Sequence, residues 1–403
     1  MKRFYKQVLT EHFKKNRQML FAMGPRQVGK STIALSLEED WPRFEYFTWD
    51  NAAHRKRLQK GEQALGESLK LGSREQEIPL LIFDELHKMR QWKLFLKGLY
   101  DTFPSLSHIL VTGSARLDVY QKGADSLMGR YFRYRIHPLS VRELIEPEIT
   151  PEAVRPEPLK VGAETFDLLW RFGGFPDPLR RAEERYASQW RVLRHEQLFR
   201  DDIKDLTAVR DIAQLEILAQ WIRRSVGSQI SQASLSKHVG VSHVTIGKWL
   251  KWLSSLYYCF EVRPWANNLA RSLIKEPKYY LTDWSMVEDP AARAENMVAS
   301  HLLKAVHFWT DYGTGVFALH YIRDRLKREV DFLVTRDGHP WLLVEVKLNH
   351  AYSVSPSLAY FQEKLKASYA LQVVFGLEET HRPCFLDDKP KIVPARTFLS
   401  QLV

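Results

Sequence analysis

The chain has 403 residues, 45% hydrophobic and 27% charged, a globular composition in a length that favours several domains over one core. No apolar run approaches the roughly 20 residues needed to cross a bilayer, and the start MKRFYKQVLTEHFKKNRQ lacks a signal-peptide core, so a cytoplasmic protein with no membrane partner is expected. A formal charge of +11 attracts polyanions, nucleic acid among them; two distant cysteines, Cys259 and Cys384, support neither a disulfide framework nor a zinc site.

In chain order, residues 18–23 (QMLFAM) read as a buried strand running directly into GPRQVGKS, a G-x-x-x-x-G-K-[ST] loop made by Gly24, Pro25, Arg26, Gln27, Val28, Gly29, Lys30 and Ser31. The two glycines let backbone N–H groups turn inward around phosphates, Lys30 reaches the β- and γ-oxygens, and Ser31 can ligate magnesium. Arg26 can touch phosphate, although the shape of the loop does not depend on it. Thr32 then opens a helix over residues 32–38 whose positive end faces the phosphates. Residues 79–85 (PLLIFDE) read as a second buried strand ending in Asp84, for the metal, and Glu85, for activating the attacking water. ATP and Mg2+ are the cofactors expected here.

A third strand, SHILVTGS (residues 107–114), brings Thr112 and Ser114 to the same carboxyl edge. Ser114 is a candidate sensor of the γ-phosphate, with helix capping as the alternative. Arg130 is a candidate arginine finger, acting within the chain or from a neighbouring copy in a homo-oligomer; a solvated surface arginine is the alternative. Prolines at 138, 147, 151, 156 and 158 mark a boundary, so a P-loop domain is placed at 1–145.

Residues 146–223 carry helical spacing broken by FGGFPDP (172–178) and read as a helical connector. The acids of LFRDDIKDL (198–206) fit a solvated helix face better than a site. Two short helices around GVS, followed by YYCFEVRPW, have the pattern of a winged helix-turn-helix at 224–266. Its second helix would offer Ser242, His243, Thr245 and Lys248 to DNA, with Trp249, Leu250, Trp252 and Leu253 in the core; the same unit also serves as a packing module.

The last division, 267–403, begins with a linker-like KEPKYYLTDWS (275–285) and a helix carrying Glu295 in AENMVASHLLK. Two strands, REVDFLV and WLLVEVKLN, put Glu345 and Lys347 on one face beside Asp331, the pattern D…E-x-K. Such carboxylates can hold magnesium to activate water while Lys347 orients it, and Glu295 can complete the shell. An ordinary cross-strand salt bridge is the alternative.

The segments GPRQVGKST, LLIFDE, LVTGSARL, LMGRYFRYRIHPLS, FGGFPDP, AENMVASHLL and REVDFLV…LLVEVKL, in this order, resemble the predicted AAA+ superfamily ATPases of bacteria and archaea that carry a C-terminal domain of unknown function. The resemblance covers nearly the whole chain. It implies an α/β protein: an AAA+/ASCE-like P-loop NTPase domain, then a winged helix, then an α/β PD-(D/E)XK nuclease-like fold. Residue by residue it assigns Lys30 and Ser31 to phosphate and magnesium, Asp84 and Glu85 to the Walker B role, and Asp331, Glu345 and Lys347 to the nuclease-like core. In the connector RDDI (200–203) stands where R-D-I is expected, and TDWSMV (282–287) where an aspartate and a glycine turn are expected.

The first functional expectation is an ATPase whose nucleotide state moves a half that acts on DNA, with Mg-dependent endonuclease activity open. The alternative is an ATP-driven regulatory switch or scaffold for a protein partner with an inactive nuclease-like fold. A small-molecule NTP-using enzyme ranks last, since no acceptor pocket is evident.

Overall fold

The computed structural model describes residues 1–72, 77–113, 127–150, 152–202, 212–266, 276–349 and 353–403. The chain divides between His137 and Pro138 into two compact units.

Short apolar runs in the first unit form strands β1 (Met19–Met23), β2 (Phe44–Thr48), β3 (Leu80–Asp84), β4 (His108–Gly113) and β5 (Tyr131–Arg135). They pair in parallel in the order β2-β3-β4-β1-β5. Strands β1 and β3 are buried at every position, as parallel strands covered on both faces must be. Phe21, Met23, Phe83 and Val111 pack with Phe95 and Leu99 of the helix Trp92–Thr102. Because the sheet is parallel, β1, β3 and β4 end on one edge, with Asp84 opposite Thr112 and Met23 opposite Gly113. The helix expected at 32–38 starts at Lys30 and ends at Leu35, tightening into a 3-10 turn over Ser36–Asp40. Arg3 is buried; its Nη1 donates to Val28 O (2.7 Å) and its Nη2 to His137 O (2.5 Å).

The second unit holds β6 (Cys259–Pro264), β7 (Lys278–Leu281), β8 (Phe317–Arg323), β9 (Glu329–Arg336), β10 (His339–Lys347), β11 (Tyr369–Val374) and β12 (Lys391–Pro394), in the order β12-β11-β10-β9-β8-β6-β7. Strands β8, β9 and β10 are an antiparallel meander; β9 turns into β10 at Asp337-Gly338, both at positive φ, as a tight hairpin requires. The 23-residue helix Pro290–Tyr312 begins on the Asp289 cap and ends at Gly313 in the left-handed region. It buries Met297, Leu302, Ala305 and Trp309. Leu333 and Leu343 pack with Leu358 and Phe361 of the helix Pro356–Leu365.

Two expectations need correction. Of the stretch 275–285, residues 276–285 are not a linker: Lys278–Leu281 is a fully buried strand and Trp284–Met286 a 3-10 turn, because Tyr279, Tyr280, Leu281 and Trp284 are apolar enough to demand a core. The loop FGGFPDP is shorter than its composition suggests, since Pro176 sits at the first turn of a helix, Pro176–Arg181, where its missing N–H costs nothing.

Segments singled out by the resemblance also meet here. Lys304 Nζ, buried on the long helix, donates to Pro138 O (3.1 Å), Ser140 Oγ (2.9 Å) and Glu143 Oε2 (2.5 Å), while His301 Nε2 accepts the Val141 N–H (3.1 Å). HPLS and AENMVASHLLK thus form a polar anchor inside this unit.

Candidate functional site

The P-loop leaves β1 at Gly24, where a Cβ would stand 2.2 Å from the Ile136 carbonyl oxygen. Gly24→Ala is therefore expected to displace the loop and destabilise the first unit by about 1–3 kcal/mol, read in denaturant unfolding; a wild-type midpoint would show the contact to be soft. Gly29 has φ 98, the left-handed conformation that lets the loop turn into the helix Lys30–Leu35. Lys30 is buried, and its Nζ donates to Gly24 O (2.9 Å) and Pro25 O (2.7 Å), which centres the ammonium in the loop.

Ser31 Oγ donates to Asp84 Oδ2 at 2.7 Å, although 53 residues separate them. Asp84 is buried and also accepts from the Tyr46 hydroxyl (2.5 Å) and from Thr112 Oγ1. Burial, then the hydrogen bond to Asp84, holds the Tyr46 hydroxyl well above the ordinary phenol range, so it stays protonated and donating. Glu85 sits at φ 55, ψ 28, and its N–H donates to Thr112 O (3.1 Å). Burial raises its carboxyl pKa, and Lys30 is the first charge opposing that rise. His87 Nε2 lies 3.6 Å and Lys88 Nζ 3.9 Å from Glu85 Oε2.

The structure therefore gathers Lys30, Ser31, Asp84 and Glu85 at one sheet edge. Ser114 lies outside the described residues. Arg130 engages Asp101 through Nε and Nη2, both at 2.9 Å, as a surface pair. Arg26 is half-buried, and Gln27 and Thr32 are exposed. Tyr46 escaped sequence reasoning, although its place in FEYFT, two residues before Thr48, puts both on one face of β2. A hydroxyl and a carboxylate are hard oxygen donors that fit magnesium, so Ser31 and Asp84 are the residues that would hold it.

In the second unit, Asp331, Glu345, Lys347 and Glu295 do converge, around residues the sequence did not flag. Lys278 Nζ lies 2.7 Å from Glu329 Oε1, 3.4 Å from Glu295 Oε1 and 4.0 Å from Asp331 Oδ1. Tyr280 donates to Glu295 Oε1 (2.6 Å), Val346 N–H to Asp331 Oδ2 (2.8 Å) and Lys347 Nζ to Glu345 Oε1 (2.8 Å). Among the described residues, no three or more His, Cys, Asp or Glu side chains are arranged to hold a metal ion. The missed signal was periodic: Lys278 and Tyr280 are two apart on β7, as Glu329 and Asp331 are on β9.

Burial, then the charge of Asp331, pushes Glu295 up to about 7 and Glu345 up to about 6. A carboxyl that binds its proton more tightly folded than unfolded stabilises the fold at low pH and loses that contribution as pH rises through its folded pKa. Lowering the pH from about 8 to about 6 is thus expected to add about 1 kcal/mol through Glu295, and Glu295→Gln should flatten the dependence of Tm on pH. A slope unchanged by the substitution would place that titration elsewhere.

The helix pair is present as Gln232–Val239 and His243–Ser255, with Gly240 in the left-handed region between them. Ser242 caps the second helix by accepting the Thr245 N–H (3.1 Å). Ser242, His243 and Lys248 are exposed, Thr245 is half-buried, Trp249, Leu250 and Leu253 are buried and Trp252 is half-buried. The following strand, β6, joins the seven-stranded sheet. Of LFRDDIKDL, residues 203–206 lie outside the described residues; Gln197–Asp202 is a π-helical turn. Both cysteines are buried, which pushes their thiols up to about 12. No helix among the described residues is long and apolar enough to cross a membrane.

Residues 16–145 match the family described as an AAA domain, and residues 163–292 and 292–398 match two domains of unknown function, DUF8612 and DUF4143. An uncharacterized protein of Mycobacterium tuberculosis is 24% identical over 351 residues, covering 83% of this chain and 71% of its own. One of Methanocaldococcus jannaschii is 23% identical, covering 82% and 76%, and one of Haemophilus influenzae is 24% identical, covering 69% and 67%. Solved structures of C. elegans PCH-2 and of a STAND ATPase with a tetratricopeptide repeat sensor from Pyrococcus horikoshii superpose with TM-scores of 0.26 and 0.29 at 13% and 12% identity. They cover 62% and 76% of this chain, which spans 66% and 47% of theirs; scores this low establish no common topology. The N-terminal part of the chain thus matches the AAA domain family over the parallel sheet that carries the P-loop.

Proposed function

We propose that this AAA-type chain hydrolyses ATP with magnesium and uses the nucleotide cycle to drive a C-terminal half that acts on DNA. The observation that carries the first part is the 2.7 Å bond from Ser31 Oγ to Asp84, next to the loop-centred Lys30. When bound, magnesium neutralises phosphate charge. Lys30 binds the phosphate oxygens, the loop N–H groups orient them, and Ser31 and Asp84 hold the cation. Glu85 takes the proton of the attacking water; its burial favours proton uptake and excludes competing solvent.

The DNA reading is supported by the exposed His243, Lys248 and Lys251 on the second helix of the pair and by the +11 charge. It takes the chain as a P-loop domain at 1–145, a helical connector at 146–223, a winged helix-turn-helix at 224–266 and a nuclease-like domain at 267–403. The test is ATP turnover by wild type and Lys30→Ala, with and without duplex DNA at low salt. Turnover lost in Lys30→Ala and stimulated by DNA is expected. Failure to bind any DNA at low salt, where phosphate contacts are strongest, would sink the DNA part alone.

A second reading, a regulatory switch capturing a protein partner, is favoured by the lysine among the C-terminal carboxylates, which suits an inactive nuclease-like fold. It expects nucleotide-dependent capture of a partner and no magnesium-dependent cleavage. Either reading is compatible with a homo-oligomer in which Arg130 reaches a neighbouring copy.

A further inference from the structure

We infer that Lys278 is a tethered counter-ion standing where a divalent cation would otherwise gather Glu295, Glu329 and Asp331, so that the C-terminal carboxylate set takes no magnesium or manganese. This rests on reading Asp331, Glu345 and Lys347 as a nuclease-type set.

Each carboxylate of the set already has a cationic or hydrogen-bonding partner. Glu329 Oε1 holds Lys278 at 2.7 Å, and Glu329 Oε2 accepts from Arg323 at 3.1 Å. Glu295 Oε1 is shared by Tyr280 and Lys278, Asp331 Oδ2 accepts the Val346 N–H, and Glu345 Oε1 holds Lys347. Among the oxygens that remain, Glu345 Oε2 is buried without a hydrogen-bond partner and Asp331 Oδ1 faces Lys278 Nζ at 4.0 Å, so the ammonium supplies the charge a cation would bring.

The ammonium is not a loop side chain that can swing aside. Lys278 is 3% exposed on β7, opposite Val262 of β6, and its Nζ lies 5.5 Å from the Tyr321 ring centroid. Its origin matters too. Lys278 comes from the segment matched as one domain of unknown function and Asp331 from the segment matched as the other. A single charge supplied by one segment to carboxylates of another offsets part of their mutual repulsion without a metal.

The experiment is Mn2+ titration followed by electron paramagnetic resonance on the nucleotide-free full chain. Wild type, Glu345→Gln and Lys278→Met are compared, with Lys278→Met/Asp331→Asn as control. Equal Mn2+ binding by wild type and Glu345→Gln is expected, so that any ion held at the P-loop cancels. Lys278→Met should gain one ion, bound about tenfold or more tighter than any ion specific to the set in wild type and lost in the double variant. A wild-type ion that Glu345→Gln removes would overturn the counter-ion role while leaving the nuclease-type reading in place. A folded Lys278→Met that gains no ion would overturn both. Should Lys278→Met fail to fold, the comparison of wild type with Glu345→Gln still decides.

Discussion

Replacing Glu85 by glutamine is expected to slow ATP turnover by about 100-fold or more while nucleotide binding stays near the wild-type level. The separation follows from geometry. On the proposed function binding is carried by the loop backbone and Lys30, whereas Glu85 leaves β3 at φ 55, in a conformation that a residue with a Cβ adopts only when its surroundings impose it. The imposed contact is the bond from its N–H to Thr112 O, which fixes where the carboxylate points. Glutamine keeps the size and the backbone but cannot accept a proton from water. Steady-state turnover beside fluorescent-nucleotide binding reads both quantities. An unchanged rate would remove Glu85 from the chemistry, and a parallel loss of binding would make its role structural.

Lys304→Met is expected to cost about 3–5 kcal/mol of stability in the second unit, because it removes a buried counter-charge of Glu143. Glu143 and Lys304 are both at most 2% exposed. The double variant Lys304→Met/Glu143→Leu, which removes both charges, should recover most of the loss. Urea unfolding of the full chain, followed by tryptophan fluorescence, measures both. If the single variant unfolds like wild type, the pair contributes no net stability; if the double variant is as weak as the single, the ammonium's bonds to Pro138 O and Ser140 Oγ dominate.

What the sequence disclosed depended on how far apart the cooperating residues lie. The P-loop was legible because its geometry is written in eight consecutive residues between a buried strand and a helix. Asp84 and Glu85 were legible because a buried apolar strand ending in two acids has few other uses. Tyr46 was not, since its bond to Asp84 exists only once β2 pairs beside β3. In the C-terminal half, local periodicity gave Glu345, Lys347 and Asp331, but Lys278 arrives from β7 at the far edge of the sheet, an adjacency set by chain topology. The same reasoning explains why 275–285 read as a linker: its charged residues, Lys275, Glu276, Lys278 and Asp283, hid four large buried side chains.

Arg3 bonds the carbonyl of Val28, inside the phosphate loop, and the carbonyl of His137, the last residue of the first unit. One rigid guanidinium therefore acts as a rivet between the two ends of that unit's working parts. If the loop breathes by a fraction of an ångström when it closes on a phosphate, the rivet has no rotatable bond between its two nitrogens to absorb the movement, and the displacement is delivered to the chain's exit. A lysine in its place would offer its donors from one nitrogen on a flexible stem and would not hold the two carbonyls at a set separation.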